Sequence, residues 1–406
     1  MRISMLALAG LATLSGCAAE PPETIRVATF NAYLNRAEAG GLVADLSSPG
    51  NEQARAVAEI IQRTAPDILF LNEIDRDPEA RALALFQENY LGVGQNGGAP
   101  AIYPYVYAGP VNTGLASGRD LDRNGEIVTT PGAEGYGGDA FGFGAFPGQY
   151  GMAILSKYPI EEAAIRTFQF FLWKDMPEAA LPDDPETKEE ADWHRSEALA
   201  DFRLSSKSHW DIPVIVGGRS VHVLASHPTP PVFDGEENRN GRRNHDEIRF
   251  WADYVAGAAY IRDDAGRPGG LPAGARFVIL GDMNADPMDG EAAGAIAQLL
   301  DHPLIAAAPA PESRGAVEAA RCAGGVNLEH KTPAATDTGD FGDDPETGPG
   351  NLRLDYVLAS KKGLVMKRAG VFWPAPDEDG YVLVGPGFPV VSSDHRLVWA
   401  DLEIVD

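Results

Sequence analysis

The chain has 406 residues, 44% hydrophobic and 23% charged, which excludes a disordered, collagen-like or membrane-bundle protein. Its 33 basic and 59 acidic residues leave a formal charge of −26, so bulk electrostatics will not draw it to nucleic acid or anionic lipid. Chemistry on a phosphate would need cations supplied locally, most simply as bound metal ions.

Residues 1–16, MRISMLALAGLATLSG, set one charge ahead of a short apolar stretch, the layout of a signal peptide. Leu14-Ser15-Gly16-Cys17 resembles the bacterial lipobox. That would make Cys17 the acylated first residue of the mature chain, with 17–24 as a tether; a plain signal peptide leaves Cys17 incidental. Ala18 after the cysteine is similar to lipoproteins of the outer membrane, facing periplasm or exterior. Cys17 and Cys322 give no disulfide framework, and no Cys/His spacing reads as zinc.

Beyond the tether, two-period apolar runs predict strands at 25–30, 68–72, 151–155, 276–281, 352–358 and 396–404. Residues 213–216 and 219–226 read as a hairpin across Gly217-Gly218. A helix is predicted at 51–64, with Asn51 as cap and Ala54, Val57, Ala58 and Ile61 on one face. Another is predicted at 245–258. Strands and helices alternate, so the class is α/β. Residues 131–151 carry eight glycines and suit a loop with close backbone approaches. Residues 178–192, with seven acidic side chains, and 334–350 read as solvated loops.

Six motifs place Asn, Asp, Glu or His at or just past a predicted strand end, where α/β folds put ligand sites. They are Phe30-Asn31, Leu71-Asn72-Glu73, Ala225-Ser226-His227, Gly281-Asp282-Met283-Asn284, Leu354-Asp355-Tyr356 and Ser393-Asp394-His395. One alone would mean a cap or a hydrogen-bonded histidine; six make coincidence a poor account. Their order resembles the endonuclease/exonuclease/phosphatase superfamily, deoxyribonuclease I-like, over the whole mature chain.

The resemblance implies a four-layered α/β sandwich, two face-to-face mostly antiparallel sheets flanked by helices. Residues 25–406 would form a single catalytic domain with insertions near 110–150, 175–210 and 310–350. It implies a divalent-metal-dependent phosphoesterase, because a phosphodiester needs its oxygens neutralised, a water activated and the leaving alkoxide stabilised. Glu73, a hard oxygen donor, would hold Mg²⁺ or Mn²⁺ with Asn31 and Asp394. Asp282 and Asn284, two apart, point to one side of an extended segment and would align water and donate to phosphate. His395 would be the acid–base group, with Asp355 fixing its tautomer, and His227 would contact phosphate or leaving group. Which group is acid and which base stays open.

Other candidates are less specific. Asn112, and Arg242 with Arg243 in the run 239–244, could grip a substrate phosphate; a salt-bridged loop would explain the run equally. Phe168, Phe170, Phe171 and Trp173 read as core before a membrane- or base-contacting tip. Asp120, Asp122 and Asn124 begin like a calcium loop, but position twelve is Pro131, so either a non-EF structural Ca²⁺ site or a plain turn fits. The expected activity is a phosphodiesterase or nuclease acting on extracellular DNA or RNA. A phospholipid-headgroup (sphingomyelinase-like) or small phosphomonoester hydrolase is the alternative within the class, and a non-catalytic binding lipoprotein lies outside it. Membrane attachment would be through lipid only, and no protein partner is evident.

Overall fold

Strands buried along almost their whole length need cover on both faces, and this chain supplies it. The structure, a computed structural model, describes residues 23–342, 348–385 and 390–406. The leader, Cys17 and most of the tether lie outside the described residues. The strands are β1 (Thr24–Leu34), β2 (Ile68–Ile74), β3 (Tyr105–Tyr107), β4 (Met152–Ser156), β5 (Arg166–Thr167), β6 (His209–Val216) and β7 (Arg219–Ser226). Then come β8 (Phe277–Asp282), β9 (Gly339–Asp340), β10 (Asn351–Leu352), β11 (Asp355–Ala359), β12 (Leu364–Val371) and β13 (Val398–Ile404).

One sheet has the order β12-β13-β1-β2-β4-β3 and the other β11-β8-β7-β6-β5, with β9 and β10 a separate ribbon. Each large sheet is antiparallel except at one pair, β1 with β2 and β7 with β8. Alternate side chains make the layers. Ile25, Val27, Ile68 and Phe70 of the first sheet meet Val221, Val223, Val278 and Leu280 of the second. The residues between them face outward: Ala28, Phe30, Leu69 and Leu71 share a core with the helix Glu52–Thr64. Leu224, Ile279 and Leu358 do the same with the helix Arg239–Val255. Helix, sheet, sheet and helix form the four-layered sandwich.

The predicted capping holds: the Asn51 side chain accepts from the Ala54 amide at 2.9 Å. The second helix starts six residues before the predicted position, because its buried face carries polar Arg243, Asn244, Asp246 and Glu247, which apolar periodicity does not register. β12 went unpredicted since it is a half-exposed edge strand, and the helix Arg314–Ala323 since it is short. Among the described residues, no helix is long and apolar enough to cross a membrane.

Pairing brings the motifs to one edge. Parallel register sets Asn31 opposite Asn72, next to Glu73. Antiparallel register sets Asp282, at the end of β8, opposite Asp355, at the start of β11. So Asp355 opens its strand instead of closing it, and antiparallel pairing carries it to the shared edge all the same. β13 runs antiparallel to β1, which returns Ser393–His395 to the edge as well.

At this edge β7 and β8 nearly touch: a Cβ on Gly281 would lie 2.0 Å from the Ser226 carbonyl oxygen. Gly281→Ala should therefore push apart the strands carrying His227 and Asp282. A stability loss of about 1–3 kcal/mol by denaturant melting, with a larger loss of turnover, is expected. Wild-type stability in the variant would show that the close approach is not needed.

Candidate active site

Asp282 Oδ2 is the point where the site converges. The Asn31 amide donates to it at 3.1 Å, and the Nε2 atoms of His227 and His395 stand 3.4 and 3.5 Å away. Oδ1 accepts from the Asn284 backbone N–H at 2.9 Å. All but Asn284 of these groups are buried, where a carboxylate is tolerated only with donors around it. His395 Nδ1 lies 2.9 Å from Asp355 Oδ2, which also accepts from Thr338 Oγ1 at 2.8 Å. Ser393 Oγ donates to the Asn31 carbonyl at 2.7 Å and accepts from the His395 N–H, tying the segment before β13 to β1.

These contacts split the two imidazoles. Burial opposes a charge on His395, but Asp355, Asp282 and Asp394 outweigh it and hold its pKa well above the usual histidine range. His227 goes the other way, pushed well below that range by burial, then by Lys207 and His395. Near neutral pH the site has one imidazolium and one neutral ring, a separation suited to distinct acid and acceptor roles.

On the Asn31 side, Glu73 takes two amides, from Asn31 at 3.1 Å and Asn35 at 3.0 Å. Burial and the charge of Asp394 push its pKa up to about 7, against the pull of Lys207 and His395. Its backbone has φ 55°, a left-handed conformation that costs a glutamate roughly 1–3 kcal/mol and is kept where geometry is functional. Two mutually repelling carboxylates with asparagine amides beside them are a hard-oxygen donor set that fits a divalent cation. Glu73, Asp394 and Asn31 would hold it. When bound, such an ion supplies positive charge to phosphate oxygens and makes hydroxide accessible from water. One ligand atom each from Asp282, Asp355 and His395 also lies within 4.8 Å of the others. Asp355 and His395, however, hydrogen-bond to each other, which suits proton handling.

The remaining candidates have other partners. The Asn112 amide donates to the Gln169 and Ser205 carbonyls and accepts from Arg203, fully buried. Arg243 is buried on the carbonyls of Leu204, Phe141 and Arg203, and Arg242 reaches Leu181 and Asp183. All three thus have partners within the protein that brace the insertions, and the run 239–244 opens a helix. Phe168, Phe171 and Trp173 are buried, while Phe170 lies exposed with the Arg203 guanidinium over its ring. Asp120 and Asp122 come together with Asp139, ligand atoms within 4.8 Å, whereas Asn124 turns back to Asp122.

Several functional neighbours were not read from the sequence. Thr338 and Phe341 come from the stretch expected to be a solvated loop; Thr338 is buried and the Phe341 ring packs edge-on to His395. Asn35 and Lys207 had no signal, since neither sits in a strand-end motif. Ser393 could have been found, standing in the same Ser-Asp-His triplet as Asp394 and His395.

Residues 28–395 match the Endonuclease/Exonuclease/phosphatase family. The chain belongs to that family. It is a metal-dependent hydrolase of phosphate esters. Similar solved structures include an endonuclease/exonuclease/phosphatase from Beutenbergia cavernae DSM 12333, 18% identical over 94% of this chain and 72% of that one, TM-score 0.47. A family protein from Leptotrichia buccalis C-1013-b is 13% identical, over 94% of this chain and all of that one, TM-score 0.47. Sphingomyelinase C from Streptomyces griseocarneus is 16% identical, over 93% and 99%, TM-score 0.43. No curated protein matches the sequence.

The raised pKa of Glu73, set first by burial and then by Asp394, has a pH signature. A folded pKa of about 7 against 4.5 unfolded gives stability that is complete below pH 4.5 and lost as pH rises through 7. Glu73→Gln cannot ionise, so in chelator its Tm should gain on wild type steadily from about pH 5 to pH 8. The variant should also lose the Tm rise that Mg²⁺ or Mn²⁺ gives wild type. A Tm difference independent of pH would contradict the raised Glu73 pKa.

Proposed function

We propose that the protein is an exported phosphodiesterase that works with Mg²⁺ or Mn²⁺. The observation that carries this reading is the arrangement at Asp282 Oδ2, which has a charged imidazole on one side and a neutral one on the other. In this reading Asp282 orients or deprotonates the attacking water, with Asn31 holding the carboxylate. Imidazolium His395, backed by Asp355, protonates a departing alkoxide, and Asn284, whose amide also donates to the Pro228 carbonyl at 3.1 Å, gives its other N–H to a phosphate oxygen. A diester leaving group needs that proton.

The charge balance favours a monoanionic diester over a dianionic monoester, because Glu73, Asp282, Asp355 and Asp394 crowd one site. It also moves the expected substrate from long nucleic acid toward short or small diesters. Arg123, Arg239 and Arg242 near the insertions pair with Asp184, Glu237 and Asp183, so they offer no continuous cationic track. A phospholipid headgroup satisfies the same requirement and remains the second reading. The lipobox-like Leu14-Ser15-Gly16-Cys17 supports a lipid-anchored enzyme of the bacterial envelope, facing periplasm or exterior.

The test is a substrate panel, with a chelator control, on membrane and soluble fractions of cells expressing wild type or Cys17→Ser. Bis-(p-nitrophenyl) phosphate, dinucleotides and sphingomyelin should be cleaved faster than p-nitrophenyl phosphate. Mg²⁺ or Mn²⁺ should restore chelated activity, and Cys17→Ser should move activity from membrane to soluble fraction. Faster monoester hydrolysis would overturn the diesterase reading; wild-type activity in the soluble fraction would overturn the anchor.

A further inference from the structure

We propose that Lys207 binds a non-bridging oxygen of the scissile phosphate and stabilises the negative charge that grows there during hydrolysis. This rests on the phosphate-ester hydrolase assignment and goes beyond it by naming a substrate-contacting cation.

Lys207 is only 5% exposed, in a segment just before β6. Among the described residues, no hydrogen bond or ion pair is made by its ammonium. Burying an ammonium is costly unless something compensates it. Burial pulls its pKa below the usual lysine value, against Glu73, Glu247 and Asp282, which favour the charged form. Strand pairing sets the residue beside the catalytic groups, because His209 pairs with Ser226 and Ser206 Oγ donates to the His227 carbonyl at 3.4 Å.

Its neighbours already have partners. Glu73 accepts from Asn31 and Asn35, and Asp282 from Asn31 and the Asn284 N–H. Glu247 accepts from the Ser206 N–H, the Ser206 hydroxyl and the Thr229 N–H at 2.7, 3.1 and 2.6 Å. Three ammonium donors are left for oxygens that arrive with substrate. Lysine binds phosphate in this way, as a point charge with donors.

The backbone around Lys207 is fixed beforehand. Glu247 clamps the Ser206 and Thr229 segments together, and the Lys207 carbonyl accepts from the Asn112 N–H at 2.8 Å. Gly142 presses on the same segment: its Cβ would fall 1.9 Å from the Ser206 carbonyl oxygen. The glycine-rich insertion and buried Asn112 thus hold the lysine in place. A charge held before substrate arrives stabilises developing charge without reorganisation.

The test compares full-length wild type, Lys207→Met and Lys207→Arg. In chelator, calorimetric titration with inorganic phosphate should show binding weakened about 10- to 100-fold in Lys207→Met and largely kept in Lys207→Arg. With saturating Mg²⁺ or Mn²⁺ and bis-(p-nitrophenyl) phosphate, Lys207→Met should lose about 10²–10³-fold in kcat, with a smaller change in KM. Wild-type phosphate binding and kcat in Lys207→Met would overturn the proposal. So would full recovery of kcat on raising metal concentration, which would make Lys207 a counter-ion of Glu73. Lys207→Gln replaces Lys207→Met if thermal melting shows the latter unfolded; if neither folds, the charge belongs to the scaffold and the proposal falls. Should wild type cleave no diester yet bind phosphate through Lys207, the diesterase reading fails and this assignment stands.

Discussion

One buried carboxylate oxygen, Asp282 Oδ2, sets the terms for the rest of the site. It ends β8, deep enough that it is tolerable only with donors supplied by three other parts of the chain. The amide comes from β1, one imidazole from the turn after β7, the other from the segment before β13. Both sheets must therefore be assembled and packed face to face before the oxygen has its neighbours. Folding and the catalytic arrangement are one requirement here, and the close approach of Gly281 to Ser226 is part of it.

Charge is distributed unevenly around that oxygen. Carboxylates on one side hold His395 protonated, while burial, then Lys207 and His395, keep His227 neutral. On the far side of Asn31, Glu73 and Asp394 repel each other until a cation joins them. A chain with a net charge of −26 thus concentrates its need for positive charge at one edge. The cations that meet it include an imidazolium, a buried ammonium, the buried Arg396 guanidinium and the divalent ion that the carboxylates would hold.

Much of this was legible in the sequence because strands buried on both faces are apolar runs, and a polar residue at their ends stands out. Asn31, Glu73, His227, Asp282, Asp355 and His395 were found in that way. Antiparallel pairing was not visible, which is why Asp355 was expected to end its strand when it begins it. Composition marks Asn112, Arg242 and Arg243 as available, whereas only the fold shows the carbonyls and the carboxylate they bond. Lys207 was missed for the converse reason. A lysine in an irregular segment carries no pattern, and its meaning comes from burial beside Glu73 and Asp282. Thr338 was hidden by its polar neighbours, which read as a solvated loop.

The central claim is that the two imidazoles beside Asp282 stand in opposite protonation states, with Asp282 helping to hold the charge on His395. Nitrogen-15 NMR of histidine-labelled protein, wild type and Asp282→Asn, tests it directly across about pH 5 to 9. The account predicts that near pH 7 wild type shows His395 as imidazolium and His227 as neutral ring, and that Asp282→Asn lowers the His395 pKa. Two histidines titrating together near 6.5, unmoved by the substitution, would contradict it.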